Sequence, residues 1–150
     1  MIPALRKTGP LVALDLVTSL AALAVLVALG VSAPSGVHPL FYFGLIFVGG
    51  AAFGLLISGV IVSSARGRQP TSPQADTQFF AGVRRGVLAM WLCALVSGGF
   101  GVLILLAIAG GRGSTPVGAG PMATVLTLAV LLVACAVVTS VVVRRAVPKR

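Results

Sequence analysis

Four long apolar stretches, about Pro10–Val31, Leu40–Val62, Gly86–Ala109 and Pro121–Val143, limit this chain more than any other feature. Each reaches the roughly 20 residues that carry an α-helix across a hydrocarbon core of about 30 Å. Backbone groups inside a bilayer must bond within their own segment or in a closed barrel, and the alternating pattern of barrel strands is absent. The expected fold is therefore an all-α integral membrane protein, a single four-helix antiparallel bundle. Composition agrees: of 150 residues 58% are hydrophobic and only 9% charged, too little polar surface for a soluble domain of this length.

Eleven Lys+Arg oppose two Asp+Glu, and their positions explain most of the formal charge of +9. Arg6, Lys7, Arg66, Arg68, Arg84, Arg85, Arg144, Arg145, Lys149 and Arg150 fall before span one, between spans two and three, or after span four, whereas Arg112 alone falls in a hairpin turn. This asymmetry predicts both termini in the cytoplasm. Arg66, Arg68, Arg84, Arg85, Arg144 and Arg145 are also placed to attract anionic headgroups. Cations in short clusters between apolar runs lack the basic face of a nucleic-acid binder, so no nucleic-acid partner is expected. Arg far outnumbers Lys, and Ala, Gly and Val dominate the apolar set, as in a GC-rich bacterial genome, which suggests the bacterial inner membrane.

The connections are set by the breakers. Residues 31–39 and 110–121 are short and rich in Gly, Pro and Ser, as hairpin turns are. The first span precedes a small-x-small sequence, Val31-Ser32-Ala33, but it exceeds a signal-peptide core and Pro34 comes next, so it reads as an uncleaved span. Residues 63–85 read as the one sizeable polar loop, with Ser72-Pro73 as a helix start. The segment after Pro73 is either an extension of the third helix or a surface helix with Phe79, Phe80 and Val83 toward lipid. Both halves of the chain show basic pair, span, turn, span and basic residues, a pattern open to duplication or to topology alone.

Little chemistry is on offer. One His, two acids and two Cys leave no catalytic or metal-binding constellation, and no enzyme activity or cofactor is expected. His38 reads as a solvated turn residue, and Cys93 and Cys135 as packing residues. Phe41, Tyr42, Phe43 and Trp91 read as interface anchors. The residue that stands out is Asp15, the only acid inside a span, since a charge there costs a few kcal/mol or more unless it is paired or wetted. Thr18 and Ser19 share its helix face, and Ser58, Cys93, Thr139 and Ser140 lie at comparable depth on the other spans, with Arg84 or Arg144 as possible partner cations. This cluster reads either as a proton- or cation-coupled site or as a structural lock.

Small residues recur every four positions at Gly50, Gly54 and Ser58 in span two and at Cys93, Ser97 and Gly101 in span three. Such stripes let helices approach closely, within the chain or against a partner. Span four carries Thr124, Thr127, Leu131, Cys135 and Thr139, whose hydroxyls are more readily absorbed by their own helix than arranged as a pore. Two functions stay open. One is a non-catalytic protein acting through helix contacts, as an accessory subunit or with copies of itself. The other is a small transporter or pore with Asp15 as the coupling group.

Overall fold

A computed structural model describes residues 9–33, 35–37, 39–67, 72–110 and 119–146. Their regular structure is four α-helices: α1 Gly9–Val31, α2 Pro39–Gly67, α3 Pro73–Gly110 and α4 Ala119–Ala146. All four are long and apolar enough to cross a membrane. The chain is a multi-pass membrane protein. Leu14, Val17, Ile46, Phe53, Val96, Leu103 and Val130 are all more than half exposed, as lipid-facing side chains are.

The polar segment expected over 63–85 is mostly helix. α2 continues to Gly67 and α3 starts at Pro73, so residues 68–72 are all that remains between them. The start obeys the capping logic: Ser72 Oγ accepts from Ala75 N at 3.3 Å, its carbonyl accepts from Asp76 N at 2.9 Å, and Pro73 occupies the first helical position. Residues after Pro73 extend the third helix, which reaches 38 residues, or about 57 Å at 1.5 Å per residue. That is nearly twice the hydrocarbon thickness. Phe79 and Phe80 do not lie outward on lipid; they are partly buried and pack on Val12, Val62, Val83, Val87 and Val143. In the 31–39 turn, Ser32 N closes the end of α1 on Ala28 O, and Gly36 takes φ +100°, a conformation that L side chains rarely adopt.

α2 is the most enclosed helix and meets its neighbours through small residues. A Cβ at Gly101 of α3 would lie 2.7 Å from Val48 Cγ2 and 3.0 Å from the carbonyl oxygen of Gly44. Gly54 lies against the Met90 carbonyl and Ala94, and Gly50 against Ser97, whose Oγ donates to Phe47 O at 2.6 Å across the seam. Gly50 and Gly54 of the one expected stripe and Ser97 and Gly101 of the other thus lie in the seam inside the chain, whereas Cys93 is exposed. Farther along α2, Gly59 receives Leu16 of α1.

Buried apolar side chains form two clusters. The larger runs from Phe41, Leu45 and Leu105 through Ala22, Val48 and Val125 to Leu55, Ala94 and Ala136. The smaller holds Val12, Val62, Ala65, Val83, Val87 and Val143. Phe41, read from sequence as an interface anchor, is a core residue at 2% exposure, while its neighbours Tyr42 and Phe43 are exposed. The turn of α2 that aims Phe41 at Leu45 and Leu105 turns the next two rings away.

The backbone at the α2–α3 seam leaves no room for a side chain at Gly101, whereas a Cβ at Gly99 meets nothing within 4 Å. Gly101→Ala is expected to destabilise the bundle by about 1–3 kcal/mol. Gly99→Ala gains helix propensity and should be neutral or stabilising. Reversible unfolding of both variants in bicelles, followed by circular dichroism, checks this; equal stability would contradict the packing described.

Candidate functional site

Between the two apolar clusters lies one polar layer. On α1, Asp15 and Ser19 fall between Val12 and Ala22; on α2, Ser58 falls between Leu55 and Val62; on α4, Thr139 and Ser140 fall between Ala136 and Val143. These five are the buried polar or charged residues among those described. Each helix reaches the layer because its inward stripe, spaced three or four residues, carries a polar residue at one turn only.

Asp15 sits about 9 Å along α1 from Gly9 at 1.5 Å per residue. It is 2% exposed, with Gly59 of α2 beside its Cβ and Thr139 of α4 facing its carboxyl group. The Thr139 hydroxyl donates a short hydrogen bond to Asp15 Oδ2. Among the described residues no cation pairs with the carboxyl group. Ser19 donates to the backbone carbonyl of Asp15 at 2.6 Å, and Ser58 donates to Leu55 O at 2.8 Å, so these hydroxyls satisfy their own helices. Thr18 of α1 and Cys135 of α4 are both half-buried at the margin of the layer.

Beside Thr139 the layer continues as a narrow cleft between α2, α3 and α4, lined by Ser58, Trp91, Thr139 and Ser140 and by apolar side chains including Leu55, Met90 and Ala136. Its walls leave no room for the centre of a water molecule. Two residues of its lining carry a buried polar atom without a hydrogen-bond partner: Trp91 Nε1, which can only donate, and Ser140 Oγ. Ser140 is 7% exposed. Buried polar groups are ordinarily satisfied, so two unpaired atoms in one cleft mark the layer as incomplete.

The structure therefore brings together Asp15, Ser19, Ser58, Thr139 and Ser140, with Thr18 at the margin. Cys93 is not part of the group. It is exposed, because α3 turns Ala94 inward and Cys93 lies about 100° round the helix from it. The α3 contribution is Trp91, read from sequence as an interface anchor; its position three residues before Ala94 and four after Val87 is the signal that places it inward. Cys135 is the other residue that pattern reading left out of the cluster. The rest of its stripe does not form a polar path: Thr127 and Leu131 are exposed, and Thr124 and Thr127 donate to Gly120 O and Ala123 O of their own helix.

Among the basic residues, Arg84, Arg85 and Arg145 are exposed. Arg66 turns inward instead and lays its guanidinium against Gly9, where a Cβ would come within 2.6 Å of Nη2. The end of α2 lies beside the start of α1, and Gly9 leaves the space that the guanidinium fills. Arg68, His38 and the side chain of Arg144 lie outside the described residues. No group of three or more His, Cys, Asp or Glu able to hold a metal ion occurs among the described residues.

The fold and site define a four-helix membrane protein with one buried carboxyl group in a hydroxyl-rich layer. No family model matches the chain, and neither the curated proteins nor the solved structures contain a match.

Thr139→Val keeps the shape of the side chain and removes the donor to Asp15. It should cost about 0.6–1.7 kcal/mol, the range for interhelical hydrogen bonds in membranes. Thr124→Val removes an exposed bond within one helix and should stay within about 0.5 kcal/mol. Denaturation of both variants in the same bicelles distinguishes them; equal losses would mean that the Asp15 contact carries no special weight.

Proposed function

We propose that this chain is a small, non-catalytic transporter or channel of the bacterial inner membrane in which Asp15 binds the transported proton or small cation. The observation that carries the reading is a buried carboxyl group with a hydroxyl donor, no cation partner among the described residues, and two unpaired polar atoms beyond the donor. A carboxylate that only locked a bundle would be closed off by an Arg and a completed set of hydrogen bonds, since a partly satisfied polar layer weakens the fold it sits in. A layer left open to a proton or ion bears that cost in exchange for function.

The helices are read as an antiparallel bundle with both termini in the cytoplasm, on the strength of the ten cations that flank the spans on that side against Arg112 on the other. Asp15, one to two turns from the start of α1, then lies nearer the cytoplasmic surface. Exposed Arg84, Arg85 and Arg145 belong to the same side and suit anionic lipid headgroups. The alternative, an accessory subunit or a self-assembling protein, rests on the short outer turns and the scarcity of catalytic residue types as well as on the glycine stripes, of which Gly50, Gly54, Ser97 and Gly101 are occupied in the α2–α3 seam.

The test is flux in proteoliposomes. With an entrapped pH dye and a potassium diffusion potential, the wild-type protein is expected to admit protons well above protein-free vesicles, and Asp15→Asn to lose about tenfold or more, as expected for removal of an intramembrane relay group. If protons do not move, the same pair of proteins is compared with sodium and potassium tracers. No flux in the wild type, or equal flux in the variant, removes the proposed role of Asp15.

A further inference from the structure

The cleft between α2, α3 and α4 is walled partly by core side chains, Leu55, Val87, Ala94 and Ala136, yet its lining also includes Trp91 and Ser140, which carry the two unpaired polar atoms, and Thr139, the residue that touches Asp15. The donors it offers are the Trp91 indole N–H and the Ser140 hydroxyl. Both call for an oxygen acceptor. An anion is disfavoured beside a carboxylate, and no described cation is there to offset it. A lipid ester carbonyl brings two acyl chains too bulky for a slit that does not admit a water centre. Water is the acceptor that fits once the walls part slightly, and it can return a hydrogen bond to the Ser140 or Ser58 oxygen. Met90 lines the cleft and has the most adaptable side chain there, so a change of its rotamer is the cheapest way to open it.

We propose that this cleft is the water gate of Asp15: a water molecule seated between Trp91 and Ser140 connects the carboxyl group to the aqueous phase through Thr139. The proposal rests on Asp15 being the exchanging group. A hydronium in the cleft donates a proton to Thr139 Oγ1 as the hydroxyl proton of Thr139 passes to Asp15 Oδ2. One O–H bond forms at the threonine oxygen and one breaks there, so the hydroxyl is restored. The net change is one proton moved from hydronium to carboxylate, leaving water.

Two measurements on the full chain in lipid vesicles test this without any transport assay. In a Cys93→Ala, Cys135→Ser background, Ser140→Cys and Val141→Cys place a thiol at nearly the same depth, one in the cleft and one on the lipid face. A methanethiosulfonate reagent attacks the hydrated thiolate, so the cleft position is expected to react about tenfold faster. Equal rates would show that depth alone governs access and would overturn the gate. Trp91 is the chain's only tryptophan, so its emission reports the cleft directly. Acrylamide in the water is expected to quench it, and Ala136→Leu, which narrows the cleft, to reduce that quenching severalfold. Quenching by brominated lipid alone would assign the cleft to lipid and overturn the proposal, as would acrylamide quenching untouched by Ala136→Leu. Water access with no flux would leave the gate standing and remove the transport reading; flux with no water access would do the reverse.

Discussion

How closely α2 approaches its neighbours determines the rest of the bundle. Gly44, Gly50 and Gly54 let α3 settle against its backbone, and Gly59 receives Leu16 of α1. In lipid no hydrophobic force drives helices together, so contact distance and interhelical hydrogen bonds decide which faces meet. Ser97, bonded to Phe47 O across this seam, supplies both at one position. With α2 as the shared surface, α1 and α4 meet with Asp15 opposite Thr139, and α3 brings Trp91 to the same level.

Among the described residues, the polar layer is where a buried carboxyl group and two unpaired polar atoms interrupt the apolar core. Above and below it the buried core is Val, Ala, Leu, Ile and Phe. Within it a carboxyl group relies on one hydroxyl, while Trp91 Nε1 and Ser140 Oγ find no protein partner. Local departures from good packing and satisfied hydrogen bonding in an otherwise consistent fold concentrate at working sites. The proposed function rests on this layer rather than on the apolar surface or the basic residues.

Much of this was legible in the sequence, for identifiable reasons. Hydropathy gives the spans because lipid enforces it, and the four-residue stripes on α2 and α3 reveal their seam because only small residues permit it. Asp15, Ser19, Ser58, Thr139 and Ser140 could be grouped because a buried polar residue in a span is conspicuous. Rotation about the helix axis was harder to read. Cys93 and Trp91 differ by two residues, yet α3 turns the first to lipid and the second into the layer. In a helix apolar all round, periodicity says little about which face is inward. Charge likewise marked residues 63–85 as a loop, although Arg66 and the segment after Pro73 are helical and packed.

If Asp15 is, as proposed, a reachable carboxyl group that takes up a proton within the apolar bundle, dicyclohexylcarbodiimide should find it. This apolar reagent reacts with protonated carboxyl groups that it meets inside a membrane. Peptide mapping of treated native membranes is predicted to find the adduct on Asp15, far less of it on Asp76 in the first turn of α3, and none at position 15 in Asp15→Asn. An unmodified Asp15 beside a modified Asp76, or equal modification of both, would contradict the account.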